Sequence, residues 1–343
     1  MIAPAHGAAM AAAKAKWDGI AKPIGSLGLL EDAIVQIAGL TGSAEVRLSK
    51  RAVLVMCADN GVVSEGVSQS GQEVTALVAG NMAEGNSSVC RMAAAARADV
   101  FPVDIGMAQP VPGVRDVHVA RGTKNIAEGP AMTRAEAEQA IQAGIDLVGE
   151  LKAQGYSILA TGEMGIGNTT TASAMLAAFL GMEPAVVTGR GAGLSDEGLK
   201  RKISAIRRAI QVNKPEPSDG LDVLCKLGGF DIAGMCGTFL GGAIHRVPIL
   251  IDGFISAVAA LAAVRICPES RQAMLAAHVS AEPAARMVLE ALDAKPFITA
   301  GLRLGEGTGA VAALPLLDLA LSVYDEMVTF DGIGLEAYKP FGT

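Results

Sequence analysis

The sequence predicts an α/β protein: a parallel, Rossmann-like sheet with helices on both faces, plus a small helical subdomain built from the two ends of the chain. Three observations carry this. Short apolar, β-branched runs alternate with Ala- and Leu-rich stretches of helical length, and strands joined through helices pair in parallel. Polar residues recur at the carboxyl ends of the runs. The composition, 51% hydrophobic over 343 residues with 41 glycines, allows a large core with tight turns.

Taken in order, "MIAPAHGAAMAAAKAKWDGI" (1–20) has no basic residue before its apolar part, and Lys14 and Lys16 interrupt it. It reads as a helix and not as a secretion signal. The expected strands are "AVLVMCAD" (52–59), "DVFPVDIG" (99–106), "YSILATGE" (156–163), "VPILIDG" (247–253) and "MLAAHVS" (274–280). Helical patterns cover 133–152, 198–212, 231–244 and 309–329, and "NKPEPSD" (213–219) is a turn-rich joint between two of them. The expected division is a helical subdomain from residues 1–30 and 309–343, and a large α/β domain over 31–308. The most apolar region, 232–264, is broken by "HRVP" and Asp252. Neither half reaches the roughly 18 uninterrupted residues of a membrane span, so a soluble, cytoplasmic chain is expected.

A net charge of −7 and a pI near 5.2 argue against a nucleic-acid partner, which needs clustered Lys and Arg. The cysteines, Cys57, Cys90, Cys225, Cys236 and Cys267, have no metal or redox spacing and read as buried thiols in a reducing compartment.

Chemistry is expected where the strands end. Asp59, Asp104, Glu163, Asp252 and Ser280 lie at or just past the carboxyl ends of the runs, where open α/β sheets bind ligands. Capping of the following helices is the alternative. In "ATGEMGIGNTTTAS" (160–173), Glu163 precedes Gly165, Gly167, Asn168 and Thr169 at a helix start. Free N–H groups there suit an anion, although the stretch is neither a Walker A loop nor G-x-G-x-x-G, and a plain glycine-rich cap stays open. "TGRGAGLSDEGLKRK" (188–202) repeats the idea with Gly189, Gly191 and Gly193 ahead of Lys200 and Lys202, where solvated helix charges are the alternative. In "GLRLGEGTGA" (301–310), Glu306 stands between Gly305 and Gly307, so the backbone can close on a ligand while one carboxylate projects into it. A general base needs one such carboxylate, and an exposed turn Glu is the alternative. The polar loop "ADNGVVSEGVSQSGQEVT" (58–75) is longer than a mere connection requires. No His/Cys/Asp cluster has ligand spacing, so neither metal nor cofactor is expected. Gly234, Gly237, Gly241 and Gly242 give the helix 231–244 a small-residue face, for packing within the subunit or across a dimer.

These stretches, in this order, resemble the nicotinate-nucleotide–dimethylbenzimidazole phosphoribosyltransferase family of cobalamin lower-ligand synthesis. The matching residues are "KPIGSLGLLE" (22–31), "ADNGVVSEGVSQ", "GPAMT" (129–133), "GEMGIGNTT", "GRGAGL", "GGFDIAGMCG", "RVPILIDGFISA" (246–257), "HVSAEP" (278–283) and "LGEGTGA". The resemblance implies transfer of the phosphoribosyl group of nicotinate mononucleotide to 5,6-dimethylbenzimidazole, giving α-ribazole 5′-phosphate and nicotinate. It implies Glu306 as base, phosphate and ribose at the Gly165–Thr169 loop, at Gly189–Gly193 and at Lys202, and Ser280 and the Gly305–Gly307 backbone in the same site. Glu163 is expected to position substrate, and Ser64 and Gln72 to line the base pocket. A homodimer is implied, with a contact expected to include 231–244 or its neighbours at 254–264. Other readings are transfer to another acceptor, such as adenine or a phenol, and a silent nucleotide-binding regulatory subunit. The chain departs from the family at Gly71, where Pro is common, and at His245, where a small residue is usual.

Overall fold

The computed structural model describes residues 2–338, so the end of the expected helical subdomain, 339–343, lies outside the described residues. Six strands form one parallel sheet: β1 (Arg51–Ala58), β2 (Ala98–Gly106), β3 (Arg115–Asp116), β4 (Ile158–Met164), β5 (Ile249–Ile251) and β6 (Met274–Ala276). Their order is β3-β2-β1-β4-β5-β6. The sheet grows one way from β1 and the other way from β4, which opens a crevice at the carboxyl ends of these two strands.

The expected strands are all present. The short edge strand β3 was not foreseen, because its two exposed charged residues carry no β-branched run. Strands β5 and β6 are shorter than expected. The residues after Ile251 and Ala276 leave the ladder, and Asp252 and His278 among them face a cavity.

Thirteen α-helices are described. The first four are α1 (Gly7–Gly19), α2 (Leu29–Thr41), α3 (Glu73–Ala83) and α4 (Ser88–Ala95). Then come α5 (Arg134–Ala153), α6 (Asn168–Leu180), α7 (Pro184–Val187), α8 (Asp196–Asn213) and α9 (Gly220–Leu227). The last are α10 (Phe230–His245), α11 (Phe254–Ile266), α12 (Ala285–Ala291) and α13 (Thr308–Glu326). Strand side chains alternate between faces, and the core divides accordingly. Leu54 and Met56 of β1 pack in one cluster with α5, α6, α10 and α11. Val53, Val55 and Cys57 pack in the other with α1, α2, α4 and α13. Such a doubly covered sheet explains why β1 is buried at every residue and reads, after Arg51, as an unbroken apolar run.

The chain ends meet. The Trp17 ring lies 4.8 Å from that of Tyr324, Lys16 Nζ lies 2.7 Å from Asp325, and Ile20 bridges Thr329. Helix α13 is long and apolar enough to cross a membrane by length and composition alone, but its Val311, Leu314 and Leu317 are buried in the core.

One expectation is corrected. Helix α10 is buried from Phe230 to Ala243, and its small residues face this chain's own elements. A Cβ on Gly237 would collide with the Ile141 carbonyl of α5, one on Gly241 would lie 3.0 Å from Ile145 Cα, and one on Gly234 would lie 2.5 Å from Ile105 of β2. The neighbouring stretch 254–263 of α11 is buried as well. Apart from the exposed Ile244 near the end of α10, neither helix leaves a face for a second subunit. The partner helix α5 starts sharply at a capping box, in which Thr133 accepts from the Glu136 N–H and Glu136 accepts from the Thr133 N–H.

The two departures from the family have local settings. The Glu73 carboxylate folds over Gly71, where any Cβ would meet it. His245 is the last residue of α10, and a Cβ on Gly149 would lie 3.0 Å from its ring.

Candidate active site

At the carboxyl end of the sheet lies a cavity of about 320 Å³. Glu163, Gly165, Asn168 and Thr169 reach it from the end of β4, Asp252 and Ser256 from the end of β5, and His278, Ser280 and Glu282 from beyond β6. Arg303, Gly305, Glu306 and Thr308 close one side, and Ser70, Val74 and Val78 another.

The Gly305–Gly307 turn is the most constrained part. Its three residues have φ of +88°, +61° and +90°, all left-handed. Glycine adopts that conformation freely, whereas Glu306 bears a strain on the order of 1–2 kcal/mol. Only glycine fits where the turn crosses β4: a Cβ on Gly162 would lie 2.5 Å from the Glu306 carbonyl oxygen. Backbone strain held this firmly collects at functional sites. The turn aims the Glu306 carboxylate across to α4, where Oε2 accepts the Val89 N–H at 3.1 Å.

Beside this turn stands Glu163, whose Oε1 would lie 2.6 Å from a Cβ on Gly305. Its Oε2 accepts from Asn168 Nδ2, which also donates to Asp231 Oδ2 at 3.0 Å. Burial pushes the Glu163 carboxyl well above the usual carboxylate range, the charge of Asp231 adds to this, and the Asn168 bond opposes it. Burial likewise raises Asp252, opposed by His278, whose Nε2 is 3.7 Å from Asp252 Oδ1, and by the Ala310 N–H, which donates to that oxygen at 2.8 Å.

Lys202 does not line the cavity but stands behind its wall. Fully buried on α8, it donates to Thr169 Oγ1 at 2.7 Å. Burial lowers its pKa to about 8, and the Glu282 carboxylate pulls the other way. Thr169 also faces a second, smaller cavity of about 80 Å³, together with Gly165, Gly167, Asn168, Gly191 and Gly193. The Gly165–Thr169 loop is therefore a thin partition between two spaces, with an ammonium behind it.

Of the residues singled out from the sequence, Glu163, Gly165, Asn168, Thr169, Gly191, Ser280, Gly305 and Glu306 line the large cavity. Gly167 and Gly193 line the small one. Gly189 lies against Glu282, and Gly307 seats the turn on β4, where a Cβ would lie 3.0 Å from the Thr161 carbonyl oxygen. Ser64 and Gln72 line neither: Ser64 donates to the Gly61 carbonyl at 2.9 Å and Gln72 to that of Asn60 at 3.2 Å. From the same loop it is Ser70 that faces the large cavity. Sequence reasoning noted Asp252 only as a strand end, and passed over His278, Glu282, Arg303 and Asp231. The signal for Asp252 and His278 was their place just past β5 and β6, the position Glu163 holds at the end of β4. Among the described residues no three His, Cys, Asp or Glu side chains converge to hold a metal ion.

A family model described as phosphoribosyltransferase matches residues 2–334. The chain is 48% identical over 333 residues to the nicotinate-nucleotide–dimethylbenzimidazole phosphoribosyltransferase of Ruminiclostridium cellulolyticum, covering 96% of this chain and 95% of that one. It is 45% identical to the enzyme of that name from Escherichia coli SMS-3-5, over 93% of this chain and 90% of the relative. The crystal structure of CobT from Thermus thermophilus superposes with a TM-score of 0.91 at 40% identity, covering 96% of this chain and all of that one.

Proposed function

The chain belongs to the nicotinate-nucleotide–dimethylbenzimidazole phosphoribosyltransferase family, and from that premise we propose how its site performs the transfer, with Glu306 as the base. The reaction joins nicotinate mononucleotide to 5,6-dimethylbenzimidazole and yields α-ribazole 5′-phosphate and nicotinate. The bond from the ribose carbon to the cationic ring nitrogen breaks, and its electron pair neutralises that nitrogen, so nicotinate leaves without a proton. One benzimidazole nitrogen bonds to the carbon from the opposite face, which turns a β linkage into an α one. The other nitrogen's N–H becomes acidic as the bond forms, and the Glu306 carboxylate takes that proton.

The observation that carries Glu306 is its place in the cavity wall, on a strained turn seated on β4, with its carboxylate held by the Val89 N–H. Carboxylates around the ribose carbon stabilise the positive charge that grows there as the bond breaks. The phosphate rests on the Gly165–Thr169 loop and Gly191, with the charge of Lys202 behind Thr169 and Ser280 alongside.

Glu306→Gln is expected to lower kcat by about 10²–10⁴-fold with little change in KM for either substrate. Near-wild-type turnover in steady-state kinetics would remove Glu306 from the role. A second reading, favoured by the burial that raises the Glu163 carboxyl above the usual carboxylate range, gives the proton to Glu163 instead. It predicts that Glu163→Gln, and not Glu306→Gln, is the variant that loses turnover with unchanged KM. Product masses from a panel of bases, including adenine and phenols, define the acceptor.

We also infer a homodimer in the cytoplasm. The support is the family resemblance, the absence of disulfides among the described cysteines, and exposed apolar side chains beside the site, Leu304 at 55% and Leu77 at 64%. The contact lies away from α10 and α11.

A further inference from the structure

Asp231 belongs to none of the stretches that line the cavity, yet it lies directly beneath them. It is the second residue of α10 and fully buried. A Cβ on Gly165, in the cavity wall, would lie 2.9 Å from its Oδ2. That oxygen accepts from Asn168 Nδ2 at 3.0 Å, and the same nitrogen donates to Glu163 Oε2. A side-chain amide nitrogen carries two hydrogens, and here each serves one carboxylate. The pair also sets the orientation of the amide, since turning it over would aim its oxygen at two carboxylates. Asp231 Oδ1 is buried without a hydrogen-bond partner, while the Ile232 and Asp231 amides lower the pKa of the carboxyl as a whole.

We propose that Asp231 is a positioning residue for Glu163: through the Asn168 amide it holds that carboxylate at the cavity wall and sets the pH at which it becomes charged. The inference rests on the reading of Glu163 as a residue of the active site. The physical argument is the crowding of acids out of water. Two carboxylates joined through one amide repel when both are ionised, so a proton stays within the pair over a wide pH range. The surroundings reinforce this. The charge of Asp59, in the loop after β1, raises Asp231, and those of Asp252 and Glu306, beyond β5 and before α13, raise Glu163, while Cys57 on the other face of β1 stays a neutral buried thiol. His278 partly offsets Asp252. Burial pushes Asp231 up to about 7, which agrees with a shared proton. Glu163 stabilises the cationic ribose carbon only as an anion, so the release of that proton is what makes it useful.

The test is the pH dependence of kcat/KM for nicotinate mononucleotide in the wild type and in D231N, E163Q, D231N/E163Q and N168A, with thermal unfolding as a check of fold. E163Q is expected to abolish one limb of the profile. D231N is expected to move that limb about 1 pH unit lower, because a repelling charge is gone. N168A is expected to move it higher, because the bond that favours charged Glu163 is gone. In the E163Q background D231N is expected to cause no further shift.

A D231N profile lowered equally at every pH, or one whose loss persists in full in the E163Q background, makes Asp231 structural and overturns the proposal. Should D231N fail to fold, N168A alone decides, and an unmoved limb overturns it. An E163Q enzyme with the wild-type profile overturns the reading of Glu163 and this inference with it, whereas an E163Q loss beside an unshifted D231N overturns the inference alone.

Discussion

At the scale of single residues, the site is an excess of carboxylates beside one buried cation. Glu163, Asp252 and Glu306 face the same cavity, and Lys202 stands behind Thr169. Lys202 is where a substrate's phosphate would be felt. Its pKa is drawn down to about 8 by burial, so the free enzyme carries this charge below that pH and loses it above. We expect kcat/KM for the mononucleotide to fall as pH rises through about 8, in a limb that the riboside, which lacks the phosphate, does not show. The riboside is also expected to be the far poorer substrate at neutral pH. Equal kcat/KM for the two, measured side by side at pH 7, would make the Gly165–Thr169 loop a helix cap and nothing more. The glycine flanks of Glu306 were legible in the sequence because a left-handed turn requires them. The Val89 amide was not, since it lies 217 residues away along the chain.

At the scale of elements, α10 and α5 pack backbone against backbone. Each presents glycine to the other: a Cβ on Gly144 would collide with the Gly234 carbonyl, and one on Gly237 with the Ile141 carbonyl. Backbone atoms cannot swing aside as a flexible side chain can. Gly237→Ala is therefore expected to destabilise the fold by at least about 1–3 kcal/mol, the usual cost of overpacking, as read by denaturant unfolding. A loss below the error of that measurement would mean the helices can separate freely. The helical patterns themselves were readable from composition and spacing, and α5, α8, α10 and α13 lie within a few residues of where those patterns placed them. The partner of each helical face was not readable, because a small-residue stripe has the same sequence whether it meets its own subunit or another.

At the scale of the whole molecule, the parallel pairing of all six strands puts every strand's carboxyl end on one side, so loops from distant parts of the chain share one cavity. The cavity is open on the side of Leu304, more than half exposed. A second subunit is expected to cover part of that rim. Light scattering at micromolar concentration is expected to give twice the 34.8 kDa chain mass, and a monomer mass would rule the dimer out. Should the dimer form, Leu304→Asp is expected to weaken it and Gly237→Ala to leave its contact surface unchanged.

The sequence by itself determined the class of the fold, the alternation of strands and helices, the ordered set of glycine-rich stretches that identifies the family, and the glycines that let Glu306 turn. These are local properties: periodicity, turn chemistry and short motifs act over a few residues, and they can be read where they stand. Only the tertiary structure decided which acids meet. Glu163 and Asp231 share one amide although Asn168 and Asp231 are 63 residues apart, Ser64 turns away while Ser70 faces the cavity, and α10 spends its small face on α5. The reason is physical. Burial and charge coupling arise from the packing of distant segments in a water-poor space, and no local pattern records how close those segments come.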